Sequence, residues 1–485
     1  MFIVSLLLSL LIIVLFHYSY TLRKKGGNAP PGPFAWPIIG NLHLIADGRP
    51  QIGLFRLYQK FGKVFHIWMG SVYTVVLCEP DVIKEAFINQ GSLFNDRPTN
   101  LTTHIVGGEN NVAFTNGAHW TKLRGIVSKA LTKAKTRQME TLILGQFEKM
   151  CEAIQDDIKA GKPFYIRPYL RTISFSVMMT FLFGKEISFK PKELDPEFTK
   201  MISDSQRLAN LMSAGNPGDY IKFLRPFNSL NKFDDLELVV HDILEFAKKY
   251  VKEHLDTIDR SNPRDFMDQL IIEYEKDQVT DNVLDYSSIH RICLDILVGG
   301  TDTGATTIEW LVLLMANHPV EQELLNKELL TCIDSDEKYI SSVHKPLLPI
   351  LNSTIKEAWR YRPVAPLALP HKSTEDCTVG GYFIPKGSQI LINIYSASMS
   401  EKLWEEPTKF DAFRFIKDDS RTMVFGEGPR KCVGFNFAET EVFLLVSNLF
   451  KRFKFVRPSD ELLDDAGTVG ITLEPAPFDV LVENR

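Results

Sequence analysis

Phe425-Gly426-Glu427-Gly428-Pro429-Arg430-Lys431-Cys432-Val433-Gly434 decides how the rest of the 485-residue chain is read. A solitary cysteine is ordinarily a small buried hydrophobe. Cys432 sits instead in a glycine-rich loop with Arg430 and Lys431 at its shoulder, and an apolar helical pattern, Phe435–Arg452, begins just after it. Backbone N–H groups and a helix N-terminus favour a thiolate over a thiol. Gly428 and Gly434 let the backbone approach a flat ligand closely, and Phe425 is placed to shield the sulfur from water. A thiolate held this way suits an axial position on iron, where it favours O–O cleavage. The competing reading is a non-ligand cysteine in a glycine loop.

Outside this loop the thiols say little. Cys78, Cys151, Cys293, Cys332 and Cys377 are scattered, and no CxxC pair exists, which argues against a disulfide framework or a cysteine zinc site. With 45% hydrophobic and 24% charged residues the chain is an ordinary folded protein, not a disordered, collagen-like or multi-span one. Its net charge of −5 gives no basic excess for nucleic acid. No Gly-x-Gly-x-x-Gly or P-loop stretch is present, so electrons for any redox chemistry must come from outside. Length alone suggests about three domains, but motifs from Trp120 to Cys432 must converge on one cofactor, which implies one large domain.

From Phe2 to Leu22 the chain carries no charge, and Arg23, Lys24 and Lys25 follow at once. That run meets the ~20-residue requirement for a bilayer span. The following positive charges keep the C-terminal part in the cytosol. A cleaved signal peptide would want a basic start and a small-x-small site, and neither is evident. The sequons at Asn100 and Asn352 are therefore expected to be unused. The proline-rich Ala29–Pro37 stretch is a stiff, non-helical spacer. The expected division is an anchor at 1–22, a basic stop and linker at 23–41, and a catalytic domain at 42–485.

The body is expected to be mainly α with a minor β region (α+β). Strands are read at Val64–Met69 and Tyr73–Leu77, turning at Gly70-Ser71, and at Thr378–Ile384 and Gln389–Ile394. Leu284–Met315 reads as one long helix whose middle is Gly299-Gly300-Thr301-Asp302-Thr303-Gly304. Glycine costs about 1 kcal/mol in a helix interior, so three in six positions ask for a reason. A thinned face beside a cofactor, with Asp302-Thr303 as a proton relay, is one; a hinge, or tight packing on a neighbouring helix, is the other. Glu357 and Arg360 lie three apart on one helix face, and Trp120 and Arg124 one turn apart. Lys122, Lys129, Lys133, Lys135 and Arg137 line or follow the helix starting at Trp120, and with Arg430 and Lys431 make a local basic patch in an acidic protein.

The loop at Cys432 resembles Phe-x-x-Gly-x-Arg-x-Cys-x-Gly, the haem signature of the cytochrome P450 superfamily, at every fixed position. Asp302 and Thr303 resemble its proton-delivery pair, with Gly304 in place of the usual Thr or Ser. Glu357, Arg360 and Arg414 resemble its structural triad beneath the haem, although Ala412 and Phe413 depart from the common pattern. The resemblance implies the P450 fold after one N-terminal transmembrane helix, with haem on the Cys432 thiolate. It places Trp120, Arg124, His371 and Arg430 at the propionates. It implies a monooxygenase acting on an apolar small-molecule or lipid-like substrate, at the endoplasmic reticulum membrane with the catalytic domain facing the cytosol. Electrons would come from NADPH–cytochrome P450 reductase, with cytochrome b5 as a further candidate. Asn100–Ala113, Arg207–Ile221 and Ala365–Leu369 are the expected substrate contacts. Two rival readings are a haem-thiolate isomerase or dehydratase needing no external electrons, and a membrane-tethered haem sensor.

Overall fold

The computed structural model describes residues 27–485 apart from 47, 109, 134–135, 190–193, 213–215, 281–284, 335 and 418–421, and ahead of them 5, 9, 10 and 12–17. Among these, no helix is long and apolar enough to cross a membrane. The expected span at Phe2–Leu22 lies largely outside the described residues.

Helices dominate. Those used below are α1 (Pro50–Phe61), α2 (Leu101–Gly107), α3 (Gly117–Lys133), α4 (Thr136–Ala153), α5 (Arg167–Phe183), α6 (Pro196–Leu211), α7 (Phe233–Thr257), α8 (Phe266–Thr280), α9 (Tyr286–Asn317), α10 (Pro319–Cys332), α11 (Pro349–Tyr361) and α12 (Phe435–Arg452). The long helix α9 is the axis of the molecule. Its start is fixed by Asp285, whose carboxylate accepts from the Ser288 N–H while Ser288 Oγ accepts from the Asp285 N–H, a capping box. From Ala305 to Ala316 it is buried on every face, which is the pattern of a helix enclosed by others. The helices α4, α5, α10, α11 and α12 surround that half. The other half packs on α6 and α7 in a second apolar cluster.

The minor β region holds β1 (Val64–Met69), β2 (Val72–Leu77), β3 (Phe164–Tyr165), β4 (His371–Lys372), β5 (Cys377–Val379), β6 (Tyr382–Ile384), β7 (Gln389–Ile392), β8 (Phe453–Val456), β9 (Thr468–Val469), β10 (Leu473–Glu474) and β11 (Asp479–Asn484). The first hairpin is as the alternating pattern predicts, with Val64 paired to Leu77 and Met69 to Val72. The late strands differ from expectation. Thr378–Ile384 is not one strand: Gly380 and Gly381, both at positive φ, fold it into the β5–β6 hairpin. Gln389–Ile392 pairs instead in parallel with β2, Val75 opposite Ile390, and antiparallel with β4. Residues 29–41 are not a free spacer. Asn41 is fully buried, accepts from the Trp68 N–H (2.8 Å) and donates to Phe34 O (2.8 Å), and His66 Nδ1 reaches Pro30 O (2.7 Å).

Candidate active site

The cysteine loop closes on itself through a hydrogen bond from the Cys432 N–H to Phe425 O (2.9 Å). Gly428 has φ +71°, and a Cβ there would strike Phe87 O. Its approach is therefore to the Glu85–Asn89 turn rather than to a ligand. Gly434 precedes α12, and a Cβ on it would meet nothing within 4 Å. Cys432 is exposed beside it. Phe425 packs edge-on between Trp359 (5.1 Å) and Phe435 (4.8 Å), one wall of the sulfur's surroundings. Although the Cys432 side chain is accessible, the protein packed around the loop pushes its thiol up, while the Gly434 N–H, Arg124 and Lys431 favour the thiolate. The loop alone does not make a thiolate; a cation on the sulfur would complete the balance.

The middle of α9 packs against α12, the helix that follows the cysteine loop. A Cβ on Gly299 would also meet nothing, whereas one on Gly300 would lie 2.5 Å from Met178 Sδ and one on Gly304 2.8 Å from Glu441 Oε2. Both explanations for the glycines therefore hold, at different positions. Gly299 opens a face; Gly300 and Gly304 let α5 and α12 come close. Thr303, one turn after Gly299, donates from Oγ1 to Gly299 O (2.7 Å) on the open side. Asp302 leaves the helix on another face. It is buried, with Oδ1 2.9 Å from Arg171 Nη1 and Oδ2 accepting from Thr472 Oγ1 (2.8 Å). Arg171 also pairs with Glu474 (2.9 Å). Burial raises the Asp302 pKa and Arg171 opposes it. The structure thus separates the acid from the alcohol.

Beside the loop lies a cluster of cations that, among the described residues, has no ion-paired carboxylate. Arg124 donates to Lys431 O (2.5 Å). Arg430 gives its guanidinium to the carbonyls of Asn95 (2.7 Å), Val112 (3.0 Å) and Thr115 (2.5 Å), and stacks 3.7 Å over Trp120. It is turned inward and is no part of an exposed basic patch. The sequence reading missed Arg97, which donates to the carbonyls of Ala113 (3.1 Å), Leu369 (2.8 Å) and Pro370 (3.0 Å) and is only 5% exposed. Burial depresses Arg430 to about 8 and Arg97 to about 9. His371 donates from Nδ1 to Phe94 O (2.8 Å), and burial and Arg97 keep it neutral. Its Nε2 is then an acceptor.

Trp120 Nε1 is buried and has no hydrogen-bond partner. An orphaned donor of this kind costs about 1–3 kcal/mol. An indole N–H beside Arg124 and Arg430, a sulfur across open space, and Gly299 and Gly434 with room above them fit a flat group carrying carboxylates and a metal. Haem fits this donor set. Trp120 and Arg124 would face its propionates and Cys432 its iron, with Arg97 and Arg430, each already giving three bonds to backbone carbonyls, beside them. The triad expected beneath it is assembled in full. Glu357 is fully buried and holds Arg360 (2.7 and 2.8 Å) and Arg414 (3.1 Å), while Arg360 also reaches the carbonyls of Ser398 and Pro407 (2.8 Å each).

Comparison with known proteins points the same way. The family model described as Cytochrome P450 matches residues 30–482. Among curated proteins, probable cytochrome P450 508A2 of Dictyostelium discoideum is 31% identical over 99% of both chains. Probable cytochrome P450 516B1 of the same organism is 30% identical over 100% of both. A zebrafish cytochrome P450 solved with progesterone superposes with TM-score 0.81 at 26% identity, covering 90% of this chain and 99% of the other.

Proposed function

The chain belongs to the cytochrome P450 family, and on that premise we propose that it hydroxylates an apolar, lipid-like small molecule at a membrane, with electrons from NADPH–cytochrome P450 reductase. The family fixes the general activity, a haem-thiolate monooxygenase. Haem on a cysteine thiolate supplies the activation of O₂, one atom entering the substrate and the other leaving as water. The chain's own residues bind and orient. Trp120 and the cationic cluster hold carboxylates, Gly299 leaves room over the open face, and Thr303 presents a hydroxyl there.

The observation that carries the reading is the buried Trp120 N–H, without a partner among the described residues, lying under Arg430 and one turn from Arg124, which itself bonds the backbone next to Cys432. The apolar substrate class is supported by side chains of the second core cluster that are only partly buried, Phe114, Leu211, Ile296 and Val298 among them. It is also supported by the zebrafish relatives solved with progesterone and with abiraterone. A membrane seat is supported by Phe34, Trp36, Ile38 and Ile39, all exposed, near the Gly70 turn that abuts Tyr220, and by exposed Phe223 and Phe227 just beyond. The uncharged Phe2–Leu22 run is proposed as the anchor, at the endoplasmic reticulum with the body in the cytosol.

A reduced, carbon monoxide-bound protein is expected to show the red-shifted Soret band of a thiolate ligand, and Cys432→His to lose it; retention in the variant would remove Cys432 from the iron. With reductase and NADPH, a hydroxylated product is expected from a lipid panel. Turnover that ignores NADPH would favour the isomerase or dehydratase reading. Binding with no product from any substrate would favour a sensor.

A further inference from the structure

We propose that Asp295, on the central helix α9, is the positioning residue that holds the cationic cluster in place, acting through the loop Asn111–Thr115. Two chains of hydrogen bonds carry the argument. In the first, Arg430 Nη1 donates to Val112 O (3.0 Å), and the N–H of the same peptide group, on Ala113, donates to Asp295 Oδ2 (3.1 Å). In the second, Arg97 Nε donates to Ala113 O (3.1 Å). The N–H of that peptide group, on Phe114, donates to Asn111 Oδ1 (2.9 Å), and Asn111 Nδ2 donates to Asp295 Oδ1 (2.9 Å). The Val112 N–H adds a third bond to Oδ2 (2.7 Å).

Each amide accepts from a guanidinium at one end and donates toward the carboxylate at the other. Such chains polarise one another in a low-dielectric interior. Asp295 is thus the counter-charge of Arg97 and Arg430 at one remove, which leaves no carboxylate in the cradle to compete with a ligand's own. It also ties the loop bearing Phe114, on the expected substrate side, to the helix bearing Thr303.

The groups facing Asp295 are the three loop donors and, on its own helix, Arg291, which itself donates to Val106 O (2.7 Å). Burial outweighs them and raises Asp295 to about 6.

The inference rests on haem being the cradle's ligand. The test uses the haem-loaded protein and reads haem capture by excess apomyoglobin. Asp295→Asn is expected to lose haem about tenfold faster than the unsubstituted protein, the range for losing a residue that orients ligands. Asp295→Glu, which keeps the charge, is expected to restore part of the difference. Equal rates in the two variants, fast or slow, overturn the proposal. Should neither variant take up haem, the unsubstituted protein decides. Hydrogen exchange at the Val112 and Ala113 amides of the unsubstituted protein, corrected for intrinsic rates, is expected to be slowed by their bonds to Asp295, and unprotected amides overturn the proposal. A chain that takes up no haem would fail the family reading instead.

Discussion

At Trp120 an indole N–H is buried with no partner among the described residues, a donor that a ligand would satisfy, and at Thr303 a hydroxyl is folded back onto its own helix, as at Thr307. Trp120→Phe keeps the ring stacked by Arg430 and removes a donor that the protein leaves unpaired. Relief of the unpaired donor and loss of part of the buried ring oppose each other, so the haem-free fold is expected to change by no more than about 1 kcal/mol in urea unfolding, while haem is captured faster by apomyoglobin. A large loss of stability without haem would mean the N–H has a protein partner after all. Thr303→Ala is expected to uncouple the reaction, with more peroxide per NADPH consumed; unchanged coupling would count against a proton-handling role. Cys432 was read from its own loop, whereas Thr303, Trp120 and Arg124 were read through the family resemblance that the loop carries. Arg97 was not. It has no acidic partner in sequence, and its role is set by carbonyls at Ala113, Leu369 and Pro370, brought together only by folding. Asp302 was legible as an acid beside an alcohol, but its direction was not, because Arg171 and Thr472 come from distant segments.

Along the helices, the glycines of α9 show how one pattern serves two ends. Gly304 stands where related chains carry a hydroxyl, and Glu441 of α12 fills the space from the other side. That carboxyl is 1% exposed, its Oε1 has no partner among the described residues, and Ser174 Oγ is the polar group beside it. Burial raises Glu441 from its ordinary 4.5 to about 8, with Ser174 as the offsetting group. Since the folded pKa is raised, the folded state binds the extra proton. Its contribution to stability is complete below about 4.5 and is lost as pH rises through about 8. Glu441→Gln, neutral throughout, is expected to flatten the pH dependence of unfolding between those values and to be the more stable protein at the alkaline end. An unchanged pH profile would mean Glu441 is already charged at neutral pH. Gly304→Thr is expected to destabilise, because its Cβ would crowd Glu441; a neutral or stabilising result would show that the acid can move aside. Helix existence followed from periodicity and the hairpin from alternation. The parallel pairing of Thr74–Leu77 with Gln389–Ile392 did not, since about three hundred residues separate strands that carry no mutual mark.

For the molecule as a whole, the Glu357–Arg360–Arg414 triad binds the segments before the cysteine loop to α11. Glu357→Gln leaves Arg360, 1% exposed, without its charge partner. Breaking a buried pair in this way typically costs about 3–5 kcal/mol. The expected outcome is a loss of that size in chemical unfolding, with haem content falling alongside; a loss under about 1 kcal/mol would show the triad to be incidental. The amino-acid sequence by itself determined the cofactor chemistry and the mainly helical class. Those properties reside in local spacings and periods that any fold of this chain must respect. Only the tertiary structure decided which cations line the cradle, that Asp302 turns away from Thr303, that residues 29–41 dock on the body, and that Asp295 answers charges on the far side of a loop. Each depends on hydrogen bonds and burial between segments remote in sequence, and a buried donor or charge is defined by the neighbours that folding assigns to it.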